Sequence, residues 1–451
     1  MQFVTDLHLH SKYSRAVSPQ MTLPVMAQYG AQKGIDIVSA ADFTHPLWFK
    51  EMQTMLVEAE EGMYVLKDEN GELRNEKSIR FLLSTEISSI YKQGDKLRRI
   101  HNLIFVPSLE IAEKVNKELV RRGCNITADG RPIVGISSKN LLEMILSIDE
   151  RCYLIPCHIW TPHFGIYGSA SGFDSLEEAF GELAPQIFGI ETGLSSDPDM
   201  NWQVQELMHR SILSFSDAHS PAKILREATV LELESPNYEN IRQAFMRLSQ
   251  KNPTHDNKIA YTLEFYPEEG KYHFSGHRNC KVVQGPEEIR ASGNLCPVCK
   301  RRLTEGVLYR VQELADPTLL TRAQEKKNTE GLKWYTDSLH IQPPYVKLVP
   351  LLEIVAESLG STVMSMKSKD LYARVCRELD SELAILLKTP IADIRKVGGE
   401  VLAEGVVKVR GGELSIDPGY DGIFGKVAIW TEEEKKENKL RKGVPQLRLD
   451  F

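Results

Sequence analysis

The sequence has 451 residues, more than one hydrophobic core usually organises, so two or more domains are expected. Hydrophobic residues make up 42% and charged residues 26% of the chain, which is typical of a globular protein with a large core. The net charge of −7 argues against a protein that binds nucleic acid over its whole surface. No segment approaches the roughly 18 consecutive apolar residues of a membrane span, and no basic and apolar leader opens the chain, so we expect a cytoplasmic protein.

Residues 1 to about 235 alternate short apolar strands with amphipathic helices, which favours an α/β fold with a parallel sheet or barrel. We predict strands at residues 3–10, 35–41, 154–158, 187–192 and 211–216. Nearly all of them end at a polar residue that can ligate a metal. Active sites of (β/α) barrels lie at the C-terminal ends of the strands, so this placement fits a barrel enzyme.

Two β-rich segments, 81–91 and 97–107, flank the turn-prone residues 92–96 and predict an antiparallel hairpin. A turn centred near Gln93 and Gly94 would place Glu86 opposite His101. Cross-strand partners lie roughly 5 Å apart, so both side chains could reach one metal ion.

A set of histidines and carboxylates forms a candidate metal site. Asp6, His8 and His10 alternate along the first predicted strand, so their side chains project from one face. Imidazole and carboxylate groups suit Zn²⁺ or Mn²⁺. The metal ligands that we predict are His8, His10, Asp42, His45, Glu86, His101, His158, Asp217 and His219.

These residues, in this order, resemble the motifs of the polymerase and histidinol phosphatase (PHP) superfamily. The matching segments are Asp6-Leu7-His8-Leu9-His10, Ala41-Asp42, Glu86, His101, Cys157-His158 and Ser216-Asp217-Ala218-His219. The resemblance implies a (β/α)7 barrel with the hairpin inserted, two or three divalent ions (Zn²⁺, Mn²⁺ or Mg²⁺) and phosphoester hydrolysis. The second motif commonly reads Asp-His in this superfamily, whereas Asp42 is followed here by Phe43 and, two residues further, His45; the third ion therefore stays open.

The expected chemistry assigns a role to four of these groups. Clustered cations lower the pKa of water and clamp phosphate oxygens. Glu86 is the expected bridging carboxylate and Asp217 a further anionic ligand, while Asp6 supports the histidines of its strand. Arg15 is a candidate for a bidentate contact to phosphate.

A second, smaller metal site is predicted after the polar linker near 236–260. His277 and Cys280 form H-x₂-C, and Cys296 and Cys299 form C-x₂-C fifteen residues later. Four ligands at this spacing indicate a structural Zn²⁺. Residues 270–310 also carry eight Lys and Arg against three Glu, which suits a DNA backbone or, equally, a solvated charged face.

A PHP-like barrel followed by this zinc module and a mainly helical C-terminal region with short β segments is similar to the endonuclease Q family over nearly the whole chain. The resemblance implies a DNA-repair endonuclease that nicks 5′ of deaminated bases (uracil, hypoxanthine, xanthine) or abasic sites. Such enzymes commonly flip the target base into a pocket. Candidate pocket residues are Trp48, Phe49, Trp160, Phe164 and Tyr167.

The chain ends in a charged arm and a short apolar tail. Gln446, Leu447, Leu449 and Phe451 resemble the peptide that binds the bacterial sliding clamp, and the alternative is a terminal strand. We therefore divide the chain into a barrel (1–240), a zinc module (258–310), a DNA-binding helical and β region (311–430) and a flexible arm with the tail (431–451).

Two other functions stay open. A phosphatase acting on a small phosphomonoester would share the barrel but would not need the basic zinc module or the tail. A non-catalytic DNA-binding scaffold would not need an intact ligand set.

Overall fold

The structure is a computed structural model that describes residues 1–68, 78–320 and 322–436, and its first half alternates short strands with helices. The strands of this half are β1 (Gln2–Asp6), β2 (Ile37–Ser39), β3 (Leu56–Glu60), β4 (Met63–Leu66), β5 (Arg80–Leu82), β6 (Ser84–Gln93), β7 (Lys96–Phe105), β8 (Ile133–Val134), β9 (Tyr153–Pro156), β10 (Gly189–Glu191), β11 (Ser211–Leu213) and β12 (Ala228–Glu232). The helices are α1 (Leu23–Lys33), α2 (Pro46–Met55), α3 (Leu109–Arg121), α4 (Ser138–Ile148), α5 (Leu176–Phe180), α6 (Pro198–Trp202) and α7 (Tyr238–Met246).

The second half adds four strands to the large sheet and contains two two-stranded sheets and a group of helices. Its strands are β13 (Lys258–Glu264), β14 (Ser275–His277), β15 (Val282–Gln284), β16 (Ala323–Lys327), β17 (Lys333–Asp337), β18 (Tyr345–Lys347), β19 (Ser415–Asp417) and β20 (Lys426–Ala428). Its helices are α8 (Pro286–Ser292), α9 (Val307–Leu314), α10 (Leu351–Leu359), α11 (Met366–Glu378), α12 (Glu382–Leu387), α13 (Ile391–Gly398) and α14 (Glu400–Gly411). Short 3₁₀ turns occupy Gly181–Gln186, Gln205–Leu207, Pro221–Lys223, Arg247–Ser249, Pro267–Glu269, Arg278–Cys280 and Pro317–Leu319.

Several helices begin where a polar side chain can accept a hydrogen bond from a free backbone amide. Ser108, Ser137 and Ser175 do so before α3, α4 and α5, and Asp197 does so before α6. Such caps are worth about 1 kcal/mol each and fix the residue at which the helix starts. None of the helices in the described residues combines the length and the apolar character that a membrane span requires.

The strands of the first half surround a shared apolar core. The large sheet has the order β16-β17-β18-β13-β12-β1-β2-β5-β4-β3, and a second sheet has the order β8-β6-β7-β9. Only Leu83 separates β5 from β6, so the two sheets meet there. One hydrophobic cluster takes residues from nine strands, among them Phe3, Ile37, Met63, Leu82, Leu103, Ile155, Leu213, Leu231 and Ile259. Helix α7 contributes Ile241 and Phe245 to the same cluster.

The parallel strand pairs align their C-terminal ends. β1 pairs with β2, β2 with β5, and β10 with β11, each pair parallel. The first strand is shorter than predicted, because β1 ends at Asp6 and the chain then continues as an extended segment. Leu9 in that segment bridges Ala218, and this bridge brings the residues after β1 beside those after β11.

The hairpin of β6 and β7 has a different register from the predicted one. Gln93 pairs with Lys96 around a two-residue turn in which Gly94 adopts φ +60°, a conformation that glycine reaches without steric cost. Glu86 therefore lies opposite Leu103, and Ser88 lies opposite His101, so the predicted pair of Glu86 and His101 is wrong by two positions. A shift of two preserves the face of the sheet, and both side chains still project the same way.

The large sheet continues past residue 240. β13 pairs antiparallel with β12 and parallel with β18, so strands from both halves share one sheet. The division at 240 and 258 thus falls within a continuous sheet, and the predicted domain boundaries stay a prediction.

A buried ion pair fastens the helices of the second half to the first. Lys33 at the end of α1 donates to Glu382 of α12 at 2.7 Å, and both side chains are at least 97% buried. Glu382 also accepts from the Tyr372 hydroxyl at 2.6 Å and the Leu351 amide at 2.9 Å. Both oxygens of the Glu382 carboxylate therefore accept hydrogen bonds.

Changing Lys33 to Met should destabilise the protein by about 3–5 kcal/mol, because Glu382 would stay buried without its countercharge. The measurement is urea unfolding followed by circular dichroism. Adding Glu382→Gln should recover much of the loss, and a double variant no more stable than the single one would contradict the argument. Lys114→Met is the matched control, since its exposed pair with Glu110 should contribute less than about 1 kcal/mol.

Candidate metal centre

The candidate metal centre forms where the C-terminal ends of β1, β2, β9, β10 and β11 meet the inner half of the hairpin. His8 and His10 follow β1, Asp42 follows β2, and His158 follows β9. Glu86 and His101 come from the hairpin strands, and Asp217 follows β11. Eight of the nine predicted ligands, all but His45, thus contribute side chains that contact one another, and six of them form the two donor groups described below.

One donor group consists of His8, His10 and Asp217, whose ligand atoms lie within 4.8 Å of one another. His10 Nε2 lies 3.0 Å from Asp217 Oδ1, and His8 Nε2 lies 3.8 Å from the same oxygen. Ligand bonds of about 2 Å place two donors of one ion at such separations.

A second donor group consists of Glu86, His101 and His158. Glu86 Oε1 lies 2.5 Å from His101 Nδ1 and 3.2 Å from His158 Nε2. Its other oxygen, Oε2, lies 3.3 Å from His10 Nε2 and 3.8 Å from His8 Nε2. Glu86 therefore has one oxygen in each group, which is the geometry of a bridging carboxylate.

Two further carboxylates orient the first pair of histidines. Glu191 Oε1 lies 2.8 Å from His8 Nδ1, and Asp42 Oδ1 lies 3.3 Å from His10 Nδ1. Each contact turns the opposite ring nitrogen, Nε2, toward the centre, an arrangement common around metal-binding histidines. Asp42 was predicted as a ligand, and in the structure it holds His10.

Glu191 is the residue that the sequence analysis missed. Its second oxygen accepts from the His158 amide at 2.9 Å, so one carboxylate positions a histidine of each donor group. The available signal was a glutamate at the end of an otherwise apolar predicted strand, 187–192, and burial of such a charge requires partners.

The donor set fits a divalent cation. His8 Nε2 is fully buried and has no hydrogen-bond partner among the described residues, although it faces oxygens of Glu86 and Asp217. An orphaned buried nitrogen is costly unless it binds something. Imidazole and carboxylate donors together suit Zn²⁺ and Mn²⁺.

The electrostatics of the cluster favour positive charge at its centre. Burial by itself lowers the pKa of His10, but hydrogen bonds to Asp217 and Asp42 outweigh this effect and raise that pKa to about 9. The pKa of Glu86 is held well below its usual value, against the effect of burial, by His101 and Arg131. Carboxylates that stay ionised in a buried site attract cations.

The backbone around these ligands is strained. Asp42, His158 and Asp217 adopt φ values of +40°, +30° and +46°, in a region that non-glycine residues rarely occupy. Strain of this kind is concentrated at functional sites, where the surrounding fold enforces it. Gly193 allows one such position, since a Cβ there would lie 2.3 Å from the Cβ of His158.

Asp6 lies behind the donor groups. Its oxygens accept from the amides of Ser216 and Leu225, both at 3.0 Å, and burial raises its pKa to about 6. Asp6 therefore fixes the loop that carries Asp217, which agrees with a supporting role.

His219 and His45 lie at the edge of the centre and belong to neither donor group. His219 Nδ1 lies 3.5 Å from Asp217 Oδ1, and its ring lies 4.7 Å from that of His10. His45 directly precedes α2 without a capping hydrogen bond from its side chain, and its ring stacks on Tyr13 with ring centroids 4.4 Å apart.

The arginine that reaches the centre is Arg131. Its Nη1 donates to Glu86 Oε2 at 3.2 Å. Arg15, the predicted phosphate contact, has a 72% exposed side chain and lies 3.5 Å from Asp129.

A cavity of about 610 Å³ opens beside the centre. Its lining includes His101, His158, Asp217, Phe164, Lys223, Arg226, Lys271, Tyr272 and Phe424. Arg226 donates to the carbonyls of Ser216 and Asp217, which steadies the loop at the cavity edge. Of the five aromatic residues predicted for a pocket, only Phe164 lines this cavity, because Trp48, Phe49, Trp160 and Tyr167 are buried in the core.

The four predicted zinc ligands also come together. The donor atoms of His277, Cys280, Cys296 and Cys299 lie within 4.8 Å of one another. Burial by itself raises the pKa of the Cys296 thiol, but hydrogen bonds from the Cys299 and Val298 amides outweigh this effect and lower that pKa to about 6. The lower pKa favours the thiolate, which is the form that binds metal. The tail residues Gln446, Leu447, Leu449 and Phe451 lie outside the described residues.

Changing Glu191 to Gln should weaken divalent-metal binding roughly 10- to 100-fold, because the charge that orients His8 and the His158 backbone is lost. Competition with a fluorescent chelator measures the affinity. Glu264→Gln is the matched control: Glu264 is equally buried but binds Ser214 and belongs to neither donor group. An affinity unchanged by Glu191→Gln would exclude the orienting role.

Comparisons with known proteins found a family model that matches a segment of the second half and a relative that matches nearly the whole chain. The family model of the MJ0043 C-terminal domain matches residues 350–413, which include α10 to α14. Two curated relatives are uncharacterized. MJ0043 of Methanocaldococcus jannaschii is 28% identical over 288 residues, covering 61% of this chain and 32% of that protein, so the match spans about a third of it. YqxK of Bacillus subtilis is 28% identical over 439 residues, covering 94% and 98%.

Solved structures match over nearly the full length. The lesion-specific endonuclease PfuEndoQ from Pyrococcus furiosus has 29% identity and a TM-score of 0.77, covering 97% of this chain and 99% of that one. A complex of endonuclease Q with a 27-mer duplex carrying an abasic lesion at the active site has 30% identity and a TM-score of 0.79, covering 97% and 98%.

Proposed function

Since this chain belongs to the endonuclease Q family, we propose that it is a metal-dependent DNA-repair endonuclease that hydrolyses the phosphodiester 5′ of a deaminated base or an abasic site. The observation that carries the proposal is the pair of donor groups that share Glu86 beside a cavity of about 610 Å³. A cavity of this size can admit one nucleotide.

The strands around the shared core are assigned to a PHP-type barrel. The support is the apolar cluster that draws on β1, β2, β5, β7, β9, β11 and β12, with the ligands at the C-terminal ends of the parallel strands. Residues 1–240 would form this barrel, with the hairpin of β6 and β7 inserted in it.

In the proposed mechanism the protein positions a phosphodiester against the two donor groups. Divalent ions held there supply Lewis-acid activation of water and neutralise phosphate charge. Glu86 holds both groups in register, and Asp217, a quarter exposed, faces the cavity from which substrate would enter. Lys223 and Arg226 line the cavity and would provide positive charge for phosphate oxygens near that entrance, and Arg131 would do so beside Glu86.

Recognition of a lesion would follow from displacement of its nucleotide into the cavity. Phe164 packs beside His101 with ring centroids 4.5 Å apart and offers an aromatic face on the cavity wall. Unstacking is least costly at a damaged or missing base, which favours such sites over intact duplex.

The Cys and His cluster of residues 277–299 is assigned to a structural Zn²⁺. Four donors that lie within 4.8 Å of one another would complete a four-coordinate site and leave no open position for water, as in structural zinc sites. This ion would stabilise the module and take no part in hydrolysis.

A panel of substrates distinguishes the proposal from a small-molecule phosphatase. We expect the Mn²⁺-loaded protein to nick duplexes with one uracil, hypoxanthine, xanthine or abasic site, and end-labelled products should locate the nick 5′ of the lesion. Hydrolysis of a phosphomonoester alone would favour the phosphatase. Cleavage of undamaged duplex at the same rate would exclude lesion recognition.

Asp217→Asn provides the control for the site itself. Loss of one anionic donor should reduce nicking by at least about 100-fold, because Asp217 is the only carboxylate of the first donor group that is not shared with the second. Full activity of this variant would remove the centre from the mechanism and favour the scaffold alternative.

We also propose that residues 446–451 bind a sliding clamp. An extended peptide can insert alternating apolar side chains into a groove. Deletion of these six residues should abolish binding to the clamp in surface plasmon resonance and leave nicking of short oligonucleotides intact. Unchanged clamp affinity would exclude this role.

A further inference from the structure

Phe424 is a strongly exposed aromatic residue at the mouth of the candidate active site. Its side chain is 70% exposed, and it is the one aromatic among the exposed large hydrophobic residues in the described part of the chain. The same residue lines the cavity that contains His101, His158 and Asp217. An exposed ring contributes little to the core, and its position on the cavity wall beside Lys271 and Tyr272 makes it available to a molecule that enters the cavity.

The loop that carries Phe424 is held firmly by its backbone. It connects β19 to β20 and runs against residues 268–274, part of which also lines the cavity. Gly419 donates to the Glu268 carbonyl at 2.8 Å, Gly422 to that of Lys271 at 2.8 Å, and Gly425 to that of Glu269 at 3.1 Å.

Glycine is required in this loop because the two backbones approach closely. A Cβ at Gly425 would lie 2.1 Å from the Glu268 carbonyl oxygen, and Gly422 has φ +85°. The ring of Phe424 is therefore presented on a rigid support, which keeps the entropic cost of binding low.

The zinc module anchors the same loop. Asp421 accepts from the Arg278 amide at 2.7 Å and from the Thr304 hydroxyl at 2.6 Å. Arg278 directly follows the candidate zinc ligand His277. Tyr420 bridges Phe274 and packs so closely on Gly276 that a Cβ there would lie 2.5 Å from its ring.

The surroundings of Phe424 suit a nucleic acid base with its phosphate. Lys271 Nζ lies 5.3 Å from the centre of the ring, and Tyr272 lines the same cavity. Aromatic rings beside a cation bind unpaired or unstacked bases without regard to their sequence.

We propose that Phe424 inserts into the duplex next to the lesion and stacks on the neighbouring base, in the space that the displaced nucleotide leaves. The zinc module holds the loop in place for this insertion. The ring lies at the rim, so the base on which it stacks is the one that remains in the helix. This inference rests on the proposed function, since it requires a lesion-containing duplex as substrate.

The test compares Phe424→Ala and Phe424→Trp with wild type on a duplex carrying one hypoxanthine and on the same strand without its complement. Loss of stacking should weaken duplex binding by about 5- to 150-fold, the range equivalent to one stacked base. Nicking of the single strand should fall by a clearly smaller factor than nicking of the duplex, since Phe424 lines the cavity in both cases but only the duplex has a gap to be filled. Trp should restore duplex binding.

Two more variants complete the design. Met364→Ala removes another strongly exposed side chain, 73% exposed and outside the cavity lining, and should behave as wild type. Asp421→Ala should give a weaker duplex-selective defect than Phe424→Ala, because it removes the two hydrogen bonds to Arg278 and Thr304 while the backbone hydrogen bonds of the loop remain.

The outcomes separate the inference from the proposed function. If wild type nicks the lesion duplex and Phe424→Ala binds and nicks it equally well, the insertion is excluded and the function stands. Equal losses on duplex and single strand would also exclude it, since they indicate a general support of the cavity. If wild type nicks neither substrate, the proposed function fails.

Discussion

Glu86 is a fully buried carboxylate, and compensation of its charge is the constraint on which the rest of the site depends. His101 and His158 surround one of its oxygens, and Arg131 with the histidines after β1 surrounds the other. Breaking such a buried network by removing one partner is strongly destabilising. The same demand for positive charge that shapes the fold here makes the centre suitable for divalent cations.

Three carboxylates behind the donor groups fix the positions of the side chains that surround Glu86. Glu191 and Asp42 hold the outer nitrogens of His8 and His10, and Asp6 holds the loop of Asp217 through two backbone amides. Each of these acids comes from a different strand or strand end. The positions of the ligands are therefore set by the packing of the strands around their common core, and the positive φ values at Asp42 and Asp217 are maintained by that packing.

The second half of the chain completes the surroundings of the centre. The sheet passes from β12 to β13 without a break, and the ion pair of Lys33 with Glu382 fastens the helices of residues 351–411 to α1. The loop between β19 and β20 extends to the cavity and is joined to residues 268–274 by backbone hydrogen bonds. A molecule that enters the cavity would meet groups from the strand ends of the first half, from residues 265–272 and from the loop between β19 and β20 together.

The sequence by itself predicted the histidines and carboxylates that come together in the two donor groups, and the four-residue Cys and His cluster, because alternation along strands and short C-x₂-C spacings are local properties. It also determined the hairpin but not its register, since a turn residue such as Gly94 can close it at neighbouring positions. Only the tertiary structure decided that Asp42 orients His10, that Arg131 rather than Arg15 reaches the centre, and that Glu191 holds His8. These contacts join residues far apart in the chain, 183 positions in the case of His8 and Glu191. The packing of the strands determines which of these residues contact one another, and no local sequence pattern encodes those contacts.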